Sequence, residues 1–254
     1  MSINKESIRS QLNTELLGTN IILLDKVDST NSYLKQSSFP IGTLVMAKEQ
    51  TGGRGRRGRC FWSPEGGVYM SVLYKPSGDF NPGKITSCVA LAVCKAIEKI
   101  TDLTPKIKWV NDVFLNDKKL CGILCEAVSE PSSSKIDSVI IGIGINVEDI
   151  SVPAELQDVL TNLNRECGRI VSKNLLIAEI LNALEIQLST VDAAEFVREL
   201  KNRSYVLGKK INVITPTESY EAYAEDIDSD CQLVIKRGDD RIILSSGEIS
   251  VRNI

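Results

Sequence analysis

The chain has 254 residues, long enough for one or two domains with a substantial buried core. Hydrophobic residues make up 43% of the sequence and charged residues 25%, which is typical of a globular protein and excludes a disordered tail protein. The net charge of −3 favours neither nucleic acid nor a membrane surface as a partner. The absence of histidine excludes histidine nucleophile systems, histidine general bases and histidine metal sites.

The hydrophobic pattern predicts strands that cluster rather than alternate strictly with helices. Alternating apolar runs bounded by turn residues indicate strands, and apolar stripes at intervals of three and four residues indicate helices. In chain order, the pattern predicts a helix over residues 5–17, a strand over 21–27, a helix beginning at 28–31, strands over 43–49 and 66–74, a helix over 85–100, strands over 107–115, 119–128 and 138–147 with turns at 116–117 and 130–134, and helices over 173–188 and 193–201.

The C-terminal part of the chain differs in pattern from the rest. Beyond Gly208, short β segments follow one another without helices, around residues 211, 220, 233, 242 and 249. This pattern predicts a small all-β module, a barrel, after the mixed α and β segment. We therefore expect two domains, residues 1–204 and residues 205–254.

The cysteines and the N-terminal residues bear on the compartment. Seven scattered cysteines, and a start with no basic stretch before an apolar core, predict a reducing cytoplasm. Cys121 and Cys125 would face the same side of one strand, where we expect them to pack rather than bind metal. No apolar run approaches the about 20 residues of a membrane-spanning helix, so no membrane partner is expected.

An arginine-rich loop is the most unusual segment of the sequence. Residues 52–59 place four arginines among glycines, which let backbone N–H groups approach a ligand closely. A nucleic-acid tract, a solvated loop and a loop that orders around a phosphorylated small ligand all fit this composition. The strand that follows holds the loop at a sheet edge, and the face of Trp62 suits either core packing or stacking on a base.

Two further motifs place polar groups near predicted strand ends. Residues 108–112 end one strand with lysine, asparagine and aspartate, and a hairpin to the next strand would bring Asp112 near Lys119. Each motif alone is also compatible with ordinary turn and edge residues. Gly142 and Gly144 interrupt a β run, where glycine is unfavourable unless another group comes close. A dinucleotide fingerprint is excluded, because a third glycine is missing.

Taken together, these motifs closely resemble those of biotin protein ligases, in the order and spacing of that family. The resemblance runs from about residue 25 to residue 147, and the tail around Gly208 and at 246–252 is similar to the family's SH3-like C-terminal module. The motifs are DSTN at 28–31, QTGGRGRRGR at 50–59, KWVND at 108–112, KKLCGIL at 118–124 and GIGINV at 142–147.

The resemblance implies a fold and a reaction. The expected fold is α+β, a mixed sheet with helices on one face as in class II synthetases, followed by a small SH3-like β-barrel. The expected activity converts biotin and ATP, with Mg²⁺, to biotinyl-5′-AMP and pyrophosphate. The biotinyl group then passes to one lysine of a biotin carboxyl carrier protein. Positioning and neutralisation of phosphate charge suit arginine and lysine side chains.

The resemblance also implies the site residues, and it assigns no side chain to the metal ion. Lys119, Arg54 and Asp112 are the expected catalytic residues, with Asp112 orienting or deprotonating the acceptor lysine. The arginine loop is expected to close over the adenylate and to become ordered with ligand. The biotin-binding residues implied are Ser29, Thr30, Asn31, Gln50, Gly53, Arg54, Gly55, Arg56 and Lys119. The ATP-binding residues implied are Arg56, Arg57, Arg59, Trp62, Asn111, Lys119 and Asn146.

The sequence also bears on the partners of the protein and on alternative functions. About 20 residues precede the first predicted strand, too few for the DNA-binding domain of some family members, so no DNA partner or repressor function is expected. A homodimer through an exposed edge strand is possible. A lipoate or octanoate ligase or transferase is the nearest alternative, and the arginine loop argues against it. A nucleic-acid-binding module would use the same arginines but leaves Asp112, Lys119 and Asn146 unexplained.

Overall fold

The computed structural model of the chain describes residues 2–36, 38–76, 81–129, 136–215, 217–245 and 250–253. Within these residues lie two β-sheets and six α-helices. The first sheet contains β1 (Ile21–Val27), β2 (Leu44–Gln50), β3 (Val68–Tyr74), β4 (Lys106–Lys108), β5 (Asp112–Leu115), β6 (Lys118–Ser129) and β7 (Ile136–Ile145). The helices are α1 (Lys5–Arg9), α2 (Thr30–Lys35), α3 (Pro82–Ile100), α4 (Leu163–Cys167), α5 (Lys173–Ser189) and α6 (Ala194–Asn202). The second sheet contains β8 (Lys210–Ile214), β9 (Ser219–Ile227), β10 (Leu233–Arg237), β11 (Asp240–Leu244) and β12 (Ser250–Asn253).

The first sheet is mixed, as predicted. Its strand order is β1-β2-β3-β7-β6-β5-β4, with β1 and β2 parallel and the other neighbours antiparallel. The predicted strand over 107–115 is in fact two strands, because residues 109–111 form the turn of a hairpin that pairs Lys108 with Asp112. The peptide bond before Val110 in this turn is cis. The predicted turn at residues 130–134 lies outside the described residues.

The helices lie on both faces of this sheet. The long helices α3 and α5 pack together over one face, where Leu44, Met46 and Val72 point into the main hydrophobic core. Side chains alternate between the faces of a strand, so Val45 and Leu73 point the other way. There they pack against Leu34 of the short helix α2, which the sequence-based expectation of helices on one face did not include.

The N-terminal helix is shorter than the predicted span over residues 5–17, and α1 ends at Arg9. The backbone N–H groups of residues 15–17 donate to the carboxylate of Glu185 on α5, over 2.6 to 3.0 Å. These bonds replace the carbonyl acceptors of a continued helix. The segment is therefore anchored along α5 rather than being a free helix.

The second sheet confirms the predicted all-β module. Its strands are all antiparallel, in the order β11-β10-β9-β8-β12, and closure into a barrel stays a prediction. Trp109 joins the two sheets, since its indole Nε1 donates to the carbonyl of Cys231 over 3.0 Å in a buried contact. Ile107 exchanges backbone hydrogen bonds with Arg203 and Tyr205. The predicted boundary between residues 204 and 205, which stays a prediction, falls within this paired segment.

The two cysteines of β6 were expected to pack rather than to bind metal. Cys121 is fully buried and Cys125 packs against the main core, which is the packing role expected for them. Burial raises the pKa of the Cys121 thiol.

In the described part of the chain, no helix combines the length and apolar character needed to cross a bilayer.

The packing of α3 yields a stability prediction. Leu91 on α3 has no exposed surface, so Leu91→Ala should leave a cavity and lower the free energy of unfolding by about 2–5 kcal/mol. Urea denaturation followed by circular dichroism measures this change. Ile186→Ala on α5, where the side chain is 60% exposed, is the control and should change stability by less than about 0.5 kcal/mol. Equal effects of the two variants would contradict the assigned core.

Candidate active site

Two adjoining cavities lie on the face of the sheet that carries α2. The smaller one, named the inner pocket, is lined by Ser29, Thr30, Asn31, Gln50, Arg54, Phe61, Met70, Gly122, Leu124, Gly142, Ile143 and Gly144. The larger one, named the outer cleft, has a volume of about 160 Å³ and is lined by Arg54, Gly55, Arg56, Arg57, Arg59, Cys60, Phe61, Lys108, Trp109, Asn111, Asp112, Lys119, Gly122 and Ile123. Arg54, Phe61 and Gly122 belong to both, so the two cavities form one continuous site.

Paired glycines open the sheet surface beneath the site. Gly122 on β6 lies directly opposite Gly144 on β7. A Cβ atom would stand 2.8 Å from the ring of Phe61 at the first glycine and 2.6 Å at the second. The ring of Phe61 therefore lies against bare backbone, and any side chain at either position would displace it.

A chain of polar side chains forms one wall of the inner pocket. Ser29, Thr30 and Asn31, at the start of α2, are buried although they are polar. The Ser71 hydroxyl lies 2.6 Å from Asn31 Oδ1 and 2.7 Å from the Thr30 hydroxyl. The backbone N–H of Thr30 donates to Gln50 Oε1 over 2.9 Å. These bonds give partners to polar groups of Thr30 and Asn31 and fix their directions.

The arginine-rich loop forms an arch between β2 and β3, and its expected ordering with ligand stays a prediction. Gln50 pairs with Ser63 and Arg54 with Cys60 as isolated β-bridges. The N–H of Phe61 donates to the carbonyl of Gly53 over 2.9 Å. A Cβ atom at Gly53 would stand 2.3 Å from the Phe61 carbonyl oxygen, so this close approach of two chain segments needs glycine. The arch places its arginines at the mouth of the inner pocket.

Asp112 and Lys119 meet in the outer cleft, as the hairpin prediction expected. The Lys119 ammonium lies 2.7 Å from Asp112 Oδ1, and both side chains are about three-quarters buried. The contact is an ion pair rather than an aligned hydrogen bond, since this buried oxygen has no hydrogen-bond partner. Asp112 pairs with Gly122 across the strands, and a register shift between Val113 and Phe114 sets Phe114 opposite Lys119.

Positive charge dominates the rest of the outer cleft. Burial lowers the pKa of the Arg56 guanidinium, and the nearby Asp112 carboxylate partly offsets that effect. Arg56 also donates to Asn111 Oδ1 over 3.4 Å. The Lys119 ammonium lies 5.7 Å from the centre of the Phe61 ring. Asp112 is the only carboxylate among the described residues that line the cleft, so the cleft is suited to a polyanionic ligand.

Two predicted nucleotide residues lie outside both cavities. Trp62 and Asn146 line a third, smaller cavity together with Tyr69 and Leu160. The side-chain amide of Asn146 donates to the carbonyl of Thr161 over 3.1 Å, which holds the segment that runs beside β6. Their predicted contact with the nucleotide stays a prediction.

Sequence reasoning missed Phe61, which lines both cavities. The segment after the arch is extended, so alternate side chains share a face. Phe61 therefore faces the site while Trp62 points away. The pairing of Gln50 with Ser63 fixes this alternation, and the pattern of residues 60–63 was the available signal.

Sequence reasoning also missed Glu126, which joins three side chains beside the inner pocket. Asn31 Nδ2 donates to its carboxylate over 2.8 Å, and the Lys35 ammonium lies 2.7 Å from it. Arg54 approaches the same carboxylate at 3.4 Å. Burial opposes ionisation of Glu126, but the hydrogen bonds from Lys35 and Asn31 outweigh it and lower its pKa. No local pattern reveals these partners, because they are more than 70 residues away.

Comparison with known proteins identifies the family. The Biotin/lipoate A/B protein ligase family matches residues 23–146, and the Biotin protein ligase C terminal domain matches residues 206–252. The bifunctional ligase/repressor BirA of Bacillus spizizenii is 34% identical over 92% of this chain and 74% of its own length. The biotin--[acetyl-CoA-carboxylase] ligase of Paracoccus denitrificans is 29% identical over 89% of this chain and 98% of its own.

The fold agrees with these sequence matches. The biotin protein ligase of Aquifex aeolicus, solved in complex with biotin and ATP, superposes with a TM-score of 0.84 and 30% identity. The superposition covers 93% of this chain and all of the other. Since the matches extend over both sheets and include a relative above 30% identity, the chain belongs to the biotin protein ligase family.

Proposed function

We propose that this protein activates biotin with ATP to biotinyl-5′-AMP and pyrophosphate, and then transfers the biotinyl group to a lysine of a biotin carboxyl carrier protein. The observation that carries the proposal is the continuity of a polar inner pocket with a basic outer cleft, joined at Arg54, Phe61 and Gly122. One end suits a small ring with amide-like groups, and the other suits phosphates.

The inner pocket is assigned to biotin. The hydroxyl and amide groups of Ser29, Thr30 and Asn31 would hydrogen-bond the ureido ring, and Leu124 supplies an apolar wall. The pocket has a volume of only about 30 Å³, so it must widen to admit a bicyclic ligand, and we expect the ring of Phe61 to move. Gln50 and the backbone of Gly53 and Gly55 complete the proposed biotin site.

The outer cleft is assigned to the first chemical step. A biotin carboxylate oxygen attacks the α-phosphorus of ATP, the bond to the bridging oxygen breaks, and pyrophosphate leaves. Arg54, Arg56 and Lys119 would hold the carboxylate and the α-phosphate and neutralise the charge that develops. Arg57, Arg59 and Asn111 would contact the rest of the nucleotide, while a contact with Trp62 or Asn146 requires the base to reach the third cavity.

The Mg²⁺ that accompanies ATP fits this cleft as a companion of the substrate. The described residues contain no cluster of three or more acidic or cysteine side chains suited to hold a metal. Mg²⁺ commonly binds substrate phosphates together with one or two carboxylates, and Asp112 is the carboxylate available here. The ion would supply further neutralisation of phosphate charge.

The second step is transfer to the carrier. The acceptor amine attacks the carbonyl carbon of the mixed anhydride, and AMP leaves with the bonding electrons. The amine must first lose a proton, because a free lysine is almost wholly protonated at neutral pH. Asp112 would orient or deprotonate it. A carrier partner, a cytoplasmic location, the absence of a DNA partner and a possible homodimer stay predictions.

Replacement of Lys119 tests the proposed chemistry. Lys119→Met should slow pyrophosphate release by about a hundredfold or more, since it removes a charge that stabilises the transition state. Calorimetric titration with biotin and then ATP·Mg²⁺, with pyrophosphate release followed in parallel, measures binding and chemistry together. Lys75→Met, in an exposed ion pair with Asp137 outside both cavities, is the control and should behave as wild type.

Each outcome of this experiment has a distinct meaning. Equal pyrophosphate release by wild type and Lys119→Met would move catalysis to the arginines. A wild-type protein that ignores biotin would refute the proposed function, and lipoate or octanoate would then be titrated in its place. An affinity for nucleic acid that falls with salt would favour the binding-module alternative.

A single methyl group tests the assignment of the inner pocket. In Gly144→Ala the added Cβ lies 2.6 Å from the Phe61 ring and narrows the groove that the ring and the ligand share. We expect biotin to bind about tenfold more weakly, a change of about 1.4 kcal/mol, while ATP alone binds as before. Gly52→Ala, where the Cβ meets the Asp28 carbonyl at an ordinary 3.4 Å, is the control. Unchanged biotin binding in Gly144→Ala would place biotin elsewhere.

A further inference from the structure

Glu126 is a partly buried charge beside the site, and the proposed function assigns it no task. Its side chain is 16% exposed and lies on β6, two residues beyond the Leu124 wall of the inner pocket. Three partners from two different elements converge on it: Asn31 and Lys35 from α2, and Arg54 from the arch. A carboxylate held at this degree of burial needs such partners, and two of them line the inner pocket.

The Asn31 amide has one allowed orientation because of this carboxylate. Its Nδ2 donates to Glu126 Oε2 over 2.8 Å and to the carbonyl of Leu124 over 3.3 Å. Its Oδ1 accepts from the Ser71 hydroxyl over 2.6 Å. A flipped amide would set its oxygen against two acceptors, the Glu126 carboxylate and the Leu124 carbonyl, and would leave both without a donor from Asn31. Gly142 leaves the space that this arrangement needs, since a Cβ there would stand 2.3 Å from Asn31 Oδ1.

We propose that Glu126 is a positioning residue of this ligase, which fixes the Asn31 amide in the inner pocket and holds the Arg54 guanidinium at the junction with the outer cleft. The inference rests on the proposed function, because it concerns how the same site recognises biotin. Glu126 acts through Asn31 and Arg54 and does not itself line either cavity.

The direction of the hydrogen bonds gives the proposal its chemical content. Ser71 has one hydroxyl proton. It donates this proton in the hydrogen bond to Asn31 Oδ1, because Glu126 fixes that oxygen in place. The Thr30 hydroxyl must then direct its own proton to Ser71 or to Gln50 Oε1, over 2.7 or 3.2 Å. Towards a ligand, the Thr30 hydroxyl is therefore a hydrogen-bond acceptor. This polarity suits the N–H groups of a cyclic urea, which are hydrogen-bond donors.

The ion pair between Glu126 and Arg54 links this wall of the inner pocket to the arch. The Arg54 side chain is 48% exposed, so little packing restrains it, and Glu126 is its ion-pair partner at 3.4 Å. The guanidinium is thereby kept at the point where both cavities meet and where the carboxylate of a bound biotin would lie. Glu126 stays ionised at neutral pH, since its partners hold its pKa below the usual range.

Glu126→Gln tests the proposal by separating the two substrates. The amide has the same shape but carries no charge and offers both a donor and an acceptor, so the Asn31 amide loses its single orientation. We expect the Kd of biotin to rise about tenfold, the Kd of ATP measured without biotin to stay within about twofold, and Tm to shift by only a few degrees. Asp137→Asn, which removes one carboxylate charge from an exposed ion pair on β7, is the matched control and should change neither Kd.

A double-mutant cycle decides whether Glu126 acts through Asn31. In an Asn31→Ala background, Glu126→Gln should weaken biotin binding by clearly less than tenfold, because the amide it positions is absent. Ser71→Ala, which releases the other side of the same amide, provides a second variant if Glu126→Gln does not fold. It should raise the Kd of biotin severalfold and leave that of ATP unchanged.

The outcomes separate this inference from the proposed function. If the wild-type protein does not bind biotin, the proposed function fails. If wild type binds biotin and Glu126→Gln binds it equally well, or loses biotin and ATP affinity together, only the positioning role is overturned. An undiminished tenfold effect in the Asn31→Ala background also overturns it.

Discussion

The site depends on one constraint, which is that a sheet surface normally covered by side chains has to be left bare. Gly122 and Gly144 pair across neighbouring strands, and Gly142 lies two residues before Gly144 on β7. Without Cβ atoms there, the ring of Phe61 and the amide of Asn31 rest directly on the backbone. Glycine weakens a strand, so the sheet gives up some local stability to create the space in which a ligand can be bound.

The same opening explains why the charged groups can converge. The arch between β2 and β3 crosses above the glycines, and it brings Arg54 and Arg56 over strands that carry Asp112, Lys119 and Glu126. A chain with a net charge of −3 thus contains a strongly positive cleft. Mutual repulsion of its cations is a local cost that a bound polyanion relieves, which is a usual trade of stability for function at such sites.

Much of this arrangement could be predicted from the sequence, where the deciding interactions are local. The mixed sheet, the second β module and the contact of Asp112 with Lys119 follow from strand patterns and one hairpin. The end of α1 at Arg9 could not be predicted, because a carboxylate on α5 takes the backbone donors of residues 15–17. Glu126 could not be predicted as a residue of the site for a similar reason. Its partners lie far away in the chain and no periodicity connects them.

The anchoring of the N-terminal segment along α5 has a practical consequence for handling the protein. This segment belongs to the layer of helices, whereas the inner pocket and the outer cleft open on the other face of the sheet. The backbone N–H of Asn4 donates to Asn174 at the start of α5, and Asn174 in turn donates to the carbonyl of Ser2. A surface tether attached before Ser2 would therefore leave from the helical side, and an immobilised protein would keep its cleft open to macromolecules arriving from solution.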